Sequence, residues 1–171
     1  ETLALAHTDG ALEFYNLSDG QLVHSLPDIL AEKPVSLHYL PDGEFLLAGL
    51  HVGLLNIISA QAMEVPVFSI FGDYGYPVDN LAILPDGPGV AGTGNDQGLA
   101  VWNLADLENP RLSYYLPGSE GIYGAIGMAA SPDSRWVAAS SWDGTLLWEL
   151  DGEEAPQGFK MLWGELEGFD P

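Results

Sequence analysis

Residues 131–148 read Ser131-Pro132-Asp133-Ser134-Arg135-Trp136-Val137-Ala138-Ala139-Ser140-Ser141-Trp142-Asp143-Gly144-Thr145-Leu146-Leu147-Trp148. Proline fixes its own φ, and an aspartate after it can hydrogen-bond the backbone two residues on, so Pro132-Asp133 marks a tight turn. Asp143-Gly144 tolerates positive φ and marks a hairpin turn. Between and beyond the two turns lie short apolar runs, Trp136 to Ser140 and Thr145 to Trp148. The stretch therefore predicts a turn, a strand, a hairpin turn and a second strand.

The same phrase recurs upstream every 43 to 47 residues. Pro-Asp turns stand at Pro41-Asp42-Gly43 and Pro85-Asp86-Gly87, and glycine turns at Gly10, Gly53 and Gly98. A large residue closes the following run in each copy: Tyr15, Ile58, Trp102 and Trp148. Ahead of the Pro-Asp turns, Leu37 and Tyr39, Leu81 and Ile83, and Met128 and Ala130 alternate as one face of a strand does. His38, Ala82 and Ala129 fall between them, mostly small residues that suit close packing on the other face. A fourth run follows each copy: Gln21 to Leu26, Val65 to Phe71, Leu112 to Leu116 and Phe159 to Trp163. A repeat of this period, made of short strands and turns, is the pattern of β-propeller blades. The expected fold is all-β: a β-propeller of about four blade repeats, each of four antiparallel strands, over 1–34, 35–77, 78–125 and 126–171.

The first copy is expected to be short of one strand. Glu1 stands nine residues before Gly10, as Glu44 stands nine before Gly53, so the run begins immediately after the place where a Pro-Asp-Gly turn should be. Fifteen strands follow from this count, with the first strand of the first blade missing and the ring partial. An unpaired backbone edge invites pairing with another chain. The opening at Glu1, with neither methionine nor a leader, suggests a processed chain or part of a longer one.

Composition narrows the classes of partner. Asp and Glu number 25 against 4 Lys and Arg, for a net charge of -21 over 171 residues. That field repels phosphate backbones and anionic membrane surfaces, so neither nucleic acid nor membrane insertion is expected. The apolar fraction of 47% is that of a folded domain. Cysteine is absent, which removes disulfides and thiolate metal sites. The compartment stays open, with export favoured over the cytoplasm by the scarcity of Lys and Arg. Asn16-Leu17-Ser18 forms an acceptor sequon for N-linked sugar.

With Trp102-Asn103 and Trp148-Glu149 in the closing slot, the chain resembles the tryptophan-aspartate (WD) repeat family of β-propellers, most closely at 131–148. The resemblance implies protein binding on the ring faces and no catalysis. The copies lack the family's Gly-His dipeptide, and the aspartate after the tryptophan is replaced by Asn103 or Glu149. The hydrogen-bond network built on those family residues is therefore expected to be missing. The family geometry also implies that loops from the fourth strand to the next first strand share a face with the hairpin turns. Tyr74, Tyr76, Tyr123 and Trp142 fall there, and aromatic loop residues of this kind bury large area with few rotors.

No catalytic constellation emerges. His7, His24, His38 and His51 lack a third converging ligand of matching spacing, so no metal or cofactor is expected. Glu153-Glu154 and the pair Asp106 and Glu108 sit in connecting loops as solvated charge. The sequence thus predicts a non-enzymatic interaction scaffold or assembly subunit, acting through the loop aromatics and the open strand edge, with a protein partner or self-assembly completing the propeller. The alternative is a calcium-dependent propeller hydrolase or a carbohydrate-binding propeller using Asp9, Asp96 and Asp143.

Overall fold

The computed structural model describes residues 1–162 apart from 31, 52, 62–67, 72–77, 79, 86–88, 93–97, 108, 120–126, 142–143 and 152–153, with backbone alone at 68–71, 90 and 141. Fifteen strands and no helix occur among the described residues. They form one three-stranded and three four-stranded antiparallel sheets, each a meander of consecutive strands. Sheet 1 holds β1 (Thr2–Ala6), β2 (Leu12–Asn16) and β3 (Leu22–Leu26). Sheet 2 holds β4 (Pro34–Tyr39), β5 (Phe45–Leu50), β6 (Leu54–Ser59) and β7 (Phe68–Phe71). Sheet 3 holds β8 (Leu81–Ile83), β9 (Gly89–Gly92), β10 (Ala100–Asn103) and β11 (Arg111–Tyr115). Sheet 4 holds β12 (Gly127–Ala130), β13 (Trp136–Ser141), β14 (Gly144–Glu149) and β15 (Lys160–Leu162). The strand count and the three-stranded first sheet are those the repeat predicts.

The turns form for the reason their residues suggest. The Asp42 carboxylate accepts from the Glu44 backbone N–H at 2.9 Å, and that of Asp133 accepts from the Arg135 N–H at 3.2 Å. The following residue closes each turn, with Gly43 N–H donating to Leu40 C=O and Ser134 N–H to Ser131 C=O. Gly43 and Ser134 both take positive φ, 71° and 55°. Glycine meets that requirement without steric cost, whereas serine does not.

Two compact units divide the chain: Glu1–Asp79 with Asp106–Pro110, and Asn80–Ala105 with Arg111–Pro171. In the first unit, sheet 1 turns Ala4, Ala6, Leu12, Phe14 and Leu26 onto Leu37, Tyr39, Leu46, Ala48 and Ile58 of sheet 2. Leu12, Phe14, Leu46, Ala48 and Ile58 are fully buried there. Thr2 Oγ1 and Tyr39 Oη meet at 3.2 Å at the edge of this interface. In the second unit, Ala82, Ala91, Val101 and Tyr114 of sheet 3 pack on Met128, Ala130, Val137, Ala139, Leu146 and Trp148 of sheet 4. Both interfaces use the same rows of the repeat. Leu46 pairs with Ile58 as Val137 pairs with Trp148. The residue that closes the second hairpin strand therefore always faces the preceding sheet within its unit.

Candidate functional site

β1 pairs only with β2 among the described residues, so the backbone of Thr2 to Ala6 forms the edge of sheet 1. Side chains along a strand alternate between faces. Ala4 and Ala6 thus enter the core of the first unit, while Leu3 and Leu5 stand on the other face, 45% and 42% exposed. The register places Tyr15 and then Leu22 beside Leu3, and Glu13 beside Leu5. A β-bulge between Phe14 and Tyr15 adds Val23, also exposed, to the outer strand. The result is an apolar outer face on sheet 1, beside a strand edge that has no second partner among the described residues.

One charge sits in this face. The Glu13 carboxylate accepts from Tyr15 Oη–H at 2.8 Å and contacts His7 Nε2 at 2.9 Å. The tyrosine hydrogen bond, helped by the histidine, holds the Glu13 carboxyl below the usual range, so it is ionised at neutral pH. The same bond, with partial burial, raises the Tyr15 phenol.

A groove of about 720 Å³ lies in the second unit against β13, β14 and the segment that leads into β15. Its walls include Trp136, Leu147, Pro156 and Phe159. The Lys160 ammonium lies 5.0 Å from the centre of the Trp136 ring, a cation–π contact. Arg135 donates to the Glu149 carboxylate at 2.9 Å on the rim. Two of the four cationic side chains of a chain with net charge -21 thus line this groove.

Trp148 is fully buried and its indole N–H donates to Pro117 C=O at 2.8 Å. The residues that replace aspartate after the closing slot act locally. Asn103 accepts from the Ala105 N–H and Asn16 from the Ser18 N–H and hydroxyl, each holding a turn. Glu149 instead pairs with Arg135. The Asn16 amide oxygen, within the glycosylation sequon, is thereby engaged in its own turn.

Tyr74, Tyr76, Tyr123 and Trp142 lie outside the described residues, as do Asp96, Asp143, Glu108 and Glu153. Asp9 holds its hairpin turn by accepting from the Ala11 N–H at 3.1 Å. Burial lowers the His38 imidazole pKa, favouring the neutral ring. No group of three or more His, Asp or Glu capable of holding a metal occurs among the described residues. Among them, too, no helix is long and apolar enough to cross a membrane.

Sequence reading missed the buried Ser119. Its hydroxyl donates to Leu116 C=O and accepts from the Leu99 N–H at 2.8 Å, joining the exit of β11 to the entry of β10. It also passed over the outer face of sheet 1, although the Leu-Ala-Leu-Ala alternation at 3–6 carries that signal.

Comparison with known proteins agrees with this architecture. The family model "WD domain, G-beta repeat" matches residues 113–148. Among solved structures the chain is similar to one titled "Structure of U3-55K" (TM-score 0.73, 16% identity) and to the WD40 repeats of RRP9 (TM-score 0.73, 17% identity). It is also similar to Sqt1 from Chaetomium thermophilum, with TM-score 0.76 and 20% identity. In each case 95% of this chain is covered but only 48% of the other, so it spans about half the length of these propeller chains. No curated protein sequence matches it. The chain thus has the β-propeller fold of these structures, and its residues 113–148 are similar to a WD repeat.

Proposed function

We propose that this chain is a non-enzymatic protein-interaction scaffold or assembly subunit, which binds an extended segment of a protein partner along the edge of β1. The observation that carries this reading is the three-stranded sheet 1 beside three four-stranded sheets. Strand addition at such an edge draws affinity from backbone hydrogen bonds and specificity from alternate side chains. Tyr74, Tyr76, Tyr123 and Trp142 form a second contact zone in this proposal, on the loop face implied by the family geometry. The neighbouring folds support the scaffold class, since the similar structures are WD40 propellers.

A peptide of residues 33–40, which contains the chain's own β4 strand, serves as a surrogate for the fourth strand of sheet 1. Hydrogen exchange of the intact chain is measured as the peptide is titrated. Binding at the edge slows exchange at amides within Thr2–Ala6 and leaves β10 unchanged. Unaltered exchange at millimolar peptide would refute the edge as a strand-addition site.

A further inference from the structure

We propose that Asn16 is an acceptor for an N-linked oligosaccharide, in a chain that enters a glycosylating secretory compartment. The proposal is independent of strand addition at β1.

Asn16-Leu17-Ser18 is the one Asn-X-Ser/Thr sequence among the six asparagines of the chain. Asn16 ends β2, and the chain then turns back into β3. Gly20 N–H donates to Asn16 C=O at 2.8 Å and Asn16 N–H donates to Gln21 C=O at 2.9 Å, so the turn is closed by its own backbone. Leu17, Ser18, Asp19 and Gly20 are all exposed at its tip. A bulky, hydrophilic glycan needs a surface turn of this kind.

The side chain leaves the reacting atom available. Asn16 Oδ1 accepts from the Ser18 backbone N–H at 2.9 Å and from the Ser18 hydroxyl at 2.8 Å, which engages both lone pairs of the amide oxygen. Asn16 Nδ2 donates to no described group. In transfer from a polyprenyl-pyrophosphate oligosaccharide, Nδ2 bonds to the anomeric carbon and gives up one proton, while the bond from that carbon to the pyrophosphate oxygen breaks. The product keeps Oδ1 and one N–H. Both Ser18 hydrogen bonds therefore survive, and the turn carries the sugar without rearrangement.

The hydroxyl is more than the turn requires. Asn103 ends β10 as Asn16 ends β2, and it accepts from the Ala105 N–H at 2.8 Å in the same way. Ala105 offers no hydroxyl, so Ser18 adds the one group that a glycan acceptor needs and the turn does not. Asn103 also shows that the place stays accessible in a complete sheet. It is half-buried, as Asn16 is, although its sheet has all four strands. Access to Asn16 thus does not depend on what precedes Glu1.

Cell-free translation with microsomes tests the acceptor, using a cleavable signal sequence fused ahead of Glu1 whose removal reports translocation. The translocated wild-type chain is expected to gain mass, and peptide N-glycosidase removes that gain and leaves aspartate at position 16. Asn16→Gln and Ser18→Ala abolish the gain, whereas Ser18→Thr retains it. Ser18→Ala is the safe control for folding, because the Asn103 turn already carries alanine there. The glycosylated chain keeps the circular dichroism and the urea midpoint of the unmodified chain. Mass spectrometry of the Asn16 peptide, in the protein isolated from the cells that make it, is expected to show the same modification. A translocated wild-type chain without a glycan overturns the proposal. So do a gain in mass that persists in Asn16→Gln or Ser18→Ala, a glycosylated chain that does not fold, or an unmodified Asn16 in the protein from its own cells.

Discussion

Replacing Trp148 by phenylalanine separates the two ways in which this residue holds the second unit together. The indole is fully buried among Ala139, Leu146 and their neighbours, and its N–H donates to Pro117 C=O at 2.8 Å. Phenylalanine fills most of the apolar space but withdraws the donor, which leaves a carbonyl short of a partner at a cost of about 1–3 kcal/mol. The smaller ring also leaves a gap, worth roughly 1–2 kcal/mol by comparison with full aromatic truncations at about 3–5 kcal/mol. The sum is about 3 kcal/mol. With a urea dependence of about 1–3 kcal/mol/M, the midpoint falls by about 1–3 M. Urea unfolding followed by far-ultraviolet circular dichroism measures it, with Trp136→Phe as the comparison. Trp136 is only partly buried and its ring contact is the Lys160 ammonium, so that change costs about 1 kcal/mol or less. Equal losses from the two substitutions, or a loss below about 0.5 kcal/mol from Trp148→Phe, would refute this account of the core.

Two further outcomes follow from local geometry. Gly10 sits at φ 89°, and an added Cβ would meet the carbonyl oxygen of Leu30, whose N–H donates to Gly10 C=O at 3.0 Å. Gly10→Ala is expected to cost about 2–4 kcal/mol, against about 1–2 kcal/mol for Gly43→Ala, which takes φ 71° with nothing within 4 Å. Comparison of their urea midpoints checks the difference. The His38 imidazole is held neutral by burial, so its folded-state pKa lies below the ordinary value near 6.5. The unfolded chain then binds the extra proton first, and this contribution to stability, complete above about pH 6.5, declines as pH falls below it. His38→Gln should flatten the slope of stability between about pH 7 and pH 5.5, and an unchanged slope would exclude His38 as its source.

Much of the fold was legible because a blade is built from local signals. Pro41-Asp42-Gly43 and Pro132-Asp133-Ser134 encode their turns through one carboxylate and one left-handed residue, and no distant contact is needed. The short first copy was legible for the same reason, since register to Gly10 counts its strands. Strand ends moved where pairing prevailed over composition. β11 begins at Arg111, one residue before the expected Leu112, because Arg111 pairs with Asn103. The surfaces were harder to read. The loop aromatics were found by residue type, and the structure describes none of Tyr74, Tyr76, Tyr123 or Trp142. The outer face of sheet 1 escaped notice because Leu3 and Leu5 look like ordinary core positions of a strand.

The sequence by itself determined the class of fold, the fifteen strands found among the described residues and the three-stranded first sheet. Periodic turns and two-residue alternation act over a few residues, and they survive without knowledge of packing. Only the tertiary structure decided which of two apolar faces each sheet buries. Leu3 and Ala4 are neighbours in β1, yet one is exposed and the other enters the core beside Phe14 and Ile58. The chemistry of Glu13, Lys160 and Trp148 was likewise settled by partners 2 to 31 residues away in the chain. Alternation marks two faces but not which one is covered, because burial depends on the sheet that packs against it.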